Sequence, residues 1–200
     1  MITQENLQIP DWAAIEKHLM AALTEHRYRH TMGVTYTSCA LAMRYKADVV
    51  KARLAGLLHD CAKCLPAEEE VRLCIEKHVP VTDFELQHTA LLHAKLGYVL
   101  AKEDYGIEDP EVLEAIRWHT TGKPAMSLLE KIVYTTDYIE PNRDRAPHLD
   151  VLRHMAFTDL DLCVTMILKD TVQYLKANEQ TSDPMTQTAY EYYSSKTHTP

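Results

Sequence analysis

The sequence predicts an all-α fold, organised as a single-domain bundle of about eight or nine helices. Gly occurs only 5 times and Phe only 2 times in 200 residues, whereas the helix-favouring Ala, Leu, Glu and Lys are plentiful. In most segments, apolar residues recur at the spacing of an amphipathic helix. Paired strands with a hairpin turn are not evident in the pattern, and neither is an internal repeat.

The N-terminal half predicts four helices. Asp11 caps a first helix that ends near Arg27, and an apolar pattern that includes Leu41 predicts a second. Asp48 caps a third helix, VVKARLAGLLHDCAK, whose leucines and small residues indicate deep burial. Pro66, which is followed by three glutamates, begins a fourth helix.

The C-terminal half continues the helical pattern with equally clear start signals. Asp83 opens a helix that runs to about Tyr105, and Asp109 caps the next helix, with proline at its first position. Ser127, with a glutamate three residues later, has the spacing of a capping box. A last long helix is predicted over residues 160–177.

Length, charge and cysteine content restrict the class of protein. Residues 1–180 form one predicted domain, and residues 181–200 form a polar C-terminal tail that we expect to be loosely attached. The net charge of −8 disfavours nucleic-acid binding. No apolar run approaches the roughly 20 residues of a membrane span, no signal peptide is evident, and the five cysteines are an odd number. We therefore expect a cytoplasmic protein that binds neither nucleic acid nor membrane.

Two adjacent polar residues, His59 and Asp60, end the most apolar segment of the chain. A buried carboxylate at such a place needs a metal ion or another cation as its partner. Neighbouring helix residues do not share a face, so further ligands would come from other helices. Imidazole and carboxylate donors together suit Fe, Mn, Co, Ni or Zn. The candidates in other predicted helices are His30, His93, His119 and Asp137.

The order of these residues resembles the H…HD…D pattern of the HD-domain metal-dependent phosphohydrolases. Within them, the chain is similar to the YqeK family of symmetrical bis(5'-nucleosyl)-tetraphosphatases, which split diadenosine tetraphosphate into two ADP. Five segments carry the resemblance, in order and over almost the whole of residues 11–178: RYRHTMGV, LAGLLHDCAK, LLHAKLGY, AIRWHTTGKPAMS and KIVYTTDYIEPNR. The resemblance implies an HD-domain helical bundle and a hydrolase that acts on dinucleoside polyphosphates.

The resemblance also implies two divalent metal ions, with iron as the expected metal and manganese or cobalt as alternatives. Asp60 would bridge the two ions and, with Lys63, take part in catalysis. The implied ligands of the first ion are His30, His59, Asp60 and Asp137, and those of the second are His93, His119 and Asp60. The implied substrate-binding residues are Lys63, His119, Thr120, Thr121, Gly122 and Arg143. Lys63, four residues after His59, would lie one turn further along the same helix face.

The expected reaction begins with a metal-activated hydroxide that attacks an inner phosphorus and expels ADP. One alternative is an HD-domain phosphohydrolase that acts on a nucleoside mono- or triphosphate. Another is a di-iron oxygenase, because the same scaffold supports oxygen chemistry with a similar ligand set. A third is a non-catalytic nucleotide-binding module, which predicts an incomplete ligand set. Both a monomer and a homodimer remain open.

Several other residues have competing interpretations. His88 is the rival of His93 for the second ion, and we favour His93. Cys61 and Cys64 form a CxxC without a second pair, which is weak support for a zinc or redox site. The tyrosines of the tail could stack on an adenine, but packing against the domain is the commoner role; they are Tyr190, Tyr192 and Tyr193. The histidines expected at the surface are His18, His26, His78, His148, His154 and His198.

Overall fold

Helices make up nearly all of the regular structure between residues 10 and 197, which are the residues that the computed structural model describes. These residues contain eleven α-helices and one 3-10 helix, and no strand, so the predicted all-α class is confirmed. The α-helices are α1 (Trp12–Ala22), α2 (Glu25–Tyr45), α3 (Val49–Leu58), α4 (Ala67–Glu76), α5 (Asp83–Gln87), α6 (Leu92–Glu103), α7 (Pro110–Trp118), α8 (Leu128–Ile139), α9 (Leu149–Ala156), α10 (Leu160–Ala177) and α11 (Pro184–Thr197). The 3-10 helix covers Thr89–Leu91.

Helices with a strong chemical start signal begin where the sequence predicts. The Asp48 carboxylate accepts hydrogen bonds from two backbone amides of α3, and Asp109 does the same for α7. Ser127 and Glu130 form a complete capping box at the start of α8. Each of these side chains satisfies backbone donors that have no partner within the helix. The predicted long helix over residues 160–177 is confirmed as α10.

Three predicted helices are wrong in their extent; the third, predicted over residues 49–63, ends at Leu58. The first does not reach Arg27, because Thr24 takes an extended conformation and caps α2 by accepting a hydrogen bond from the Arg27 amide. The helix predicted from Asp83 to Tyr105 is divided at His88, whose backbone leaves the helical region. The 3-10 helix then connects α5 to α6. The division at His88, together with α9 and α11, raises the number of α-helices from the predicted eight or nine to eleven in the described part of the chain.

The expectation of a loosely attached tail is wrong for the part of the tail that the structure describes. Residues 184–197 form α11, which packs along α10. Ala189 and Tyr193 are buried, and the Tyr193 hydroxyl accepts a hydrogen bond from the Met126 amide at 2.9 Å. The polar composition hid this helix, since only a few of its residues face the core. The domain boundary at residue 180 stays a prediction.

The core lies between α2, α3, α7, α8 and α10, and α3 is at its centre. All but the first few residues of α3 are shielded from solvent, and Leu57 and Leu58 are completely buried. Gly56 allows α2 to approach closely, since a Cβ atom there would lie 3.0 Å from the Thr35 Cα. The C-terminal end of α3 therefore delivers the next residues, His59 and Asp60, directly into the interior.

A helix that crosses a bilayer needs roughly 20 predominantly apolar residues. None of the helices in residues 10–197 combines the length and the apolar character that a membrane-crossing helix needs.

Candidate metal centre

Five separate parts of the fold bring the six predicted ligands together. His59 and Asp60 follow α3, and the remaining ligands come from α2, α6, α8 and the end of α7. The Asp137 side chain is 26% exposed, and the other five ligands are buried. Their charge-bearing or lone-pair-bearing atoms point at one another in the interior. The six ligand candidates are His30, His59, Asp60, His93, His119 and Asp137.

The first group of donors, which we call the His30 cluster, contains His30, His59, Asp60 and Asp137. The His30 Nε2 lies 3.0 Å from the Asp137 Oδ1 and 3.3 Å from the His59 Nε2. The His59 Nε2 in turn lies 3.4 Å from the Asp60 Oδ2. These separations place two imidazole nitrogens and two carboxylate oxygens around one small volume, which is the donor set of a transition-metal ion.

The second group, which we call the His93 cluster, contains His93, His119 and Asp60. The two Nε2 atoms lie 3.1 Å apart. The Asp60 Oδ1 lies 3.3 Å from the His93 Nε2 and 3.6 Å from the His119 Nε2. Asp60 therefore directs one oxygen to each cluster and could supply a ligand to an ion in either one.

The Nδ1 atoms of three histidines identify which ring nitrogen carries the proton. His59, His93 and His119 each place Nδ1 2.7 Å from the backbone carbonyl three residues earlier. A carbonyl only accepts hydrogen bonds, so these rings are protonated on Nδ1 and direct the Nε2 lone pair into the clusters. Nε2 lone pairs that converge on one point repel one another unless a cation lies between them. The donor sets therefore fit metal ions.

Charge within the clusters also favours a cation. Burial raises the pKa of Asp60, but His59, His119 and His93 outweigh it and hold this pKa well below the usual range. Burial lowers the pKa of His30, but hydrogen bonds with Asp137 and Glu140 outweigh it and raise the pKa to about 9. The carboxylates around His30 thus attract positive charge, whether it is a proton or a metal ion.

The predicted phosphate-binding residues lie beside the clusters in different ways. Lys63 is not on an extension of α3, because that helix ends at Leu58 and turns follow it; the Lys63 Nζ donates to the Ala90 carbonyl at 3.2 Å. Arg143 donates two hydrogen bonds to the Asp137 carbonyl, and the Arg143 Nη2 lies 3.4 Å from the Asp137 Oδ1.

The HTTG segment, residues 119–122, is divided between the site and the core. The Thr120 Oγ1 lies 3.2 Å from the His93 Nε2 and 3.1 Å from the His119 Nε2, so it borders the His93 cluster. Thr121 donates its hydroxyl to the Gly122 carbonyl. Gly122, with a φ of +64°, packs near Met126 and the aromatic ring of a core tyrosine. A role for Thr121 and Gly122 in substrate binding stays a prediction.

Two residues at the centre were not predicted from the sequence. The Arg27 Nη1 lies 2.7 Å from the Asp60 Oδ2, and the Glu140 Oε1 lies 3.2 Å from the His30 Nδ1. Arg27 precedes His30 by three residues on α2, and Glu140 follows Asp137 by three at the end of α8. That spacing puts each on the same helix face as a ligand, and it was the signal available in the sequence.

The alternative candidates lie away from the centre. His88 is exposed and stacks on Phe84, so the preference for His93 agrees with the geometry. Cys61 is buried and Cys64 is exposed, and both are free thiols outside the two clusters. His198 lies outside the described residues. The other histidines predicted at the surface are exposed in the described residues, and they are His18, His26, His78, His148 and His154.

Comparison with known proteins adds independent support. The family model of the HD domain matches residues 27–142. A Bacillus subtilis (strain 168) protein named symmetrical bis(5'-nucleosyl)-tetraphosphatase is 41% identical over 170 residues, which are 85% of this chain and 90% of that protein. A protein of the same name from Halalkalibacterium halodurans is 45% identical over 168 residues, which are 84% and 89% of the two chains.

A solved structure from Clostridium acetobutylicum has the same fold. It is described as a predicted HD superfamily hydrolase involved in NAD metabolism, and it is 41% identical to this chain. It superposes with a TM-score of 0.89 over 92% of this chain and 97% of its own. The chain therefore belongs to the HD-domain family and, within it, to the family that includes these symmetrical tetraphosphatases.

Proposed function

We propose that this protein is a metal-dependent hydrolase that cleaves diadenosine tetraphosphate symmetrically into two ADP. The observation that carries the proposal is the position of Asp60, whose two oxygens face two different pairs of histidines. This arrangement suits two ions held close together, as phosphoryl-transfer enzymes use them. The names of the relatives support the substrate, and they favour it over a nucleoside mono- or triphosphate.

We propose that the two clusters hold two divalent ions, with iron as the first expectation. Mixed imidazole and carboxylate ligands fit iron, manganese and cobalt. When bound, such ions lower the pKa of a coordinated water and polarise a phosphoryl oxygen. The chain supplies the placement of the donors, since each of the three histidines His59, His93 and His119 is fixed through its Nδ1 hydrogen bond.

The binding of a tetraphosphate chain requires local positive charge, because the protein carries a net charge of −8. We assign this task to Arg27, Lys63 and Arg143, which lie next to the ligands Asp60 and Asp137. Burial lowers the pKa of Lys63, although Asp60 opposes this effect. A phosphate group would give this partly desolvated ammonium a second anionic partner.

The test is an anaerobic incubation of the metal-loaded protein with diadenosine tetraphosphate, followed by anion-exchange chromatography of the products. ADP as the sole product is the expected result. ATP together with AMP would contradict symmetric cleavage, and turnover of mononucleotides alone would favour the other phosphohydrolase class. Oxygen consumption without phosphate-ester cleavage would instead support a di-iron oxygenase. The place of action that we propose is the cytoplasm, with which the five free thiols are consistent.

A further inference from the structure

We propose that Glu140 is a positioning residue that makes the His30 cluster the tighter of the two ion sites. The inference rests on the proposed function only in taking the six clustered side chains as metal ligands. It does not depend on which nucleotide is hydrolysed.

The four histidines differ in the hydrogen-bond partner of their Nδ1 atoms. His59, His93 and His119 donate from Nδ1 to neutral backbone carbonyls. His30 instead directs Nδ1 at the Glu140 carboxylate, 3.2 Å away. A charged acceptor behind an imidazole makes its other nitrogen a stronger metal donor, and it fixes the orientation of the ring.

The Glu140 carboxylate is held in place and cannot turn towards solvent without breaking several contacts. Its side chain is 2% exposed. The Oε2 accepts hydrogen bonds from the Asn142 amide at 2.7 Å and from the Asn142 side-chain nitrogen at 3.0 Å. Gly33 on α2 faces the same oxygen, and a Cβ atom there would overlap it. The absence of a side chain at position 33 leaves the space that this carboxylate occupies.

The two clusters also differ in the amount of negative charge around them. The His30 cluster contains Asp137 and its share of Asp60, and Glu140 lies directly behind it. The His93 cluster contains only its share of Asp60 beside two histidines whose Nδ1 partners are uncharged. Although Arg27 and Arg143 pair with two of these carboxylates, three carboxylates surround the His30 cluster and one the His93 cluster. A divalent ion is therefore stabilised more strongly in the His30 cluster, so that site should fill first.

The experiment is an anaerobic titration of the metal-free full-length protein with Mn²⁺ alone, with bound metal measured by equilibrium dialysis and elemental analysis. The parent should show one tight and one weak ion per chain. Glu140→Gln keeps the size of the side chain and removes its charge, and it should weaken the tight ion roughly 10- to 100-fold while leaving the weak ion unchanged. Gly33→Ala, which displaces the carboxylate, should weaken the same ion.

Glu130→Gln is the matched control, because Glu130 is a buried glutamate on α8 that contacts Ser127 and Lys123 and not the clusters. It should lower stability without changing the affinity of the tight ion. Two equal ions in the parent, or a Glu140→Gln variant with unchanged or uniformly weakened ions, would overturn the inference. Selective weakening in a protein that fails to hydrolyse diadenosine tetraphosphate would instead support the inference and contradict the proposed substrate.

Discussion

Asp60 is the single residue on which both clusters depend. It is buried, and its two oxygens face different histidines. Arg27 pairs with one of these oxygens, Oδ2. Such a carboxylate is stable only because several positive or hydrogen-bonding partners replace the water that it has lost. Its removal should therefore affect both clusters at once.

Replacing Asp60 by Asn should abolish metal retention and reduce turnover of diadenosine tetraphosphate by more than about 1,000-fold, which corresponds to roughly 4 kcal/mol of activation free energy. The amide has the same size but cannot carry the charge that two ions share. Metal content after desalting and the steady-state rate measure the two effects. Asp150→Asn, an exposed change on α9, serves as the control. Normal metal content and rate in the Asp60 variant would remove the central assignment.

Arg27 should bind the phosphates of the substrate, because its partly exposed guanidinium lies beside the bridging carboxylate. Arg27→Gln should raise the KM for diadenosine tetraphosphate about 10-fold or more, since a charge-assisted hydrogen bond is worth roughly 1.5–3 kcal/mol. Kinetics and metal analysis of the same preparation separate binding of substrate from binding of ions. Arg29→Gln, at an exposed position on α2, should behave as the parent does. An unchanged KM would argue against this role.

Glu70 should make the stability of the protein depend on pH. Burial raises its pKa from 4.5 to about 6, with Lys63 opposing the shift. The folded chain then binds more protons than the unfolded chain between these values, so stability falls as the pH rises through this window. Glu70→Gln should flatten that part of the profile in urea unfolding of the metal-free protein. Glu68→Gln, an exposed change on α4, should leave the parent profile intact, and identical profiles for all three proteins would refute the assignment.

At the scale of helices, local chemistry decides which boundaries could be predicted. Asp48, Asp109 and Ser127 bind the first backbone amides of their own helices, so the start of each helix is visible within a few residues. The breaks at Thr24 and His88 interrupt segments whose apolar spacing continues across them. The division at His88 also depends on how α5 and α6 pack around the 3-10 helix, which local spacing does not reveal.

The cap of α8 should contribute measurably to stability, because this helix holds Asp137 and leads to Glu140. Ser127→Ala removes the acceptor of the Glu130 amide and one half of the capping box. We expect a loss of about 1 kcal/mol in the free energy of unfolding. Urea unfolding of the metal-free protein measures it. Ser195→Ala, an exposed change in α11, is the control, and equal stability of the two variants would mean that the cap is dispensable.

The convergence of the six proposed ligands could be predicted because histidines and aspartates within apolar helices are difficult to explain in another way. Arg27 and Glu140 could not, because charged residues near a helix end are usually solvated. Their contacts with Asp60 and His30 form only when α2, α8 and the end of α3 pack together. The prediction that Lys63 continues the helix face of His59 is wrong, because α3 ends at Leu58 and turns follow it.

At the scale of the whole molecule, α11 is part of the folded structure despite its polar sequence. A chain that ends after Gln180 should lose about 10 °C in Tm, because a buried tyrosine and its neighbours contribute several kcal/mol. Differential scanning calorimetry measures this change. A chain that ends after Thr197 keeps all described residues and is the control. Equal Tm values would restore residues 181–200 to the status of a dispensable tail.

The wide separation of the proposed ligands along the chain has a consequence for biogenesis. More than half of the sequence lies between His30 and Asp137, although the two side chains are 3.0 Å apart in the fold. The ribosome releases the N-terminal segments first, so a nascent chain exposes His30, His59 and Asp60 before α8 has been synthesised. The complete set of proposed ligands therefore becomes available only after α8 has been translated, and we expect a metal ion to be loaded after that point.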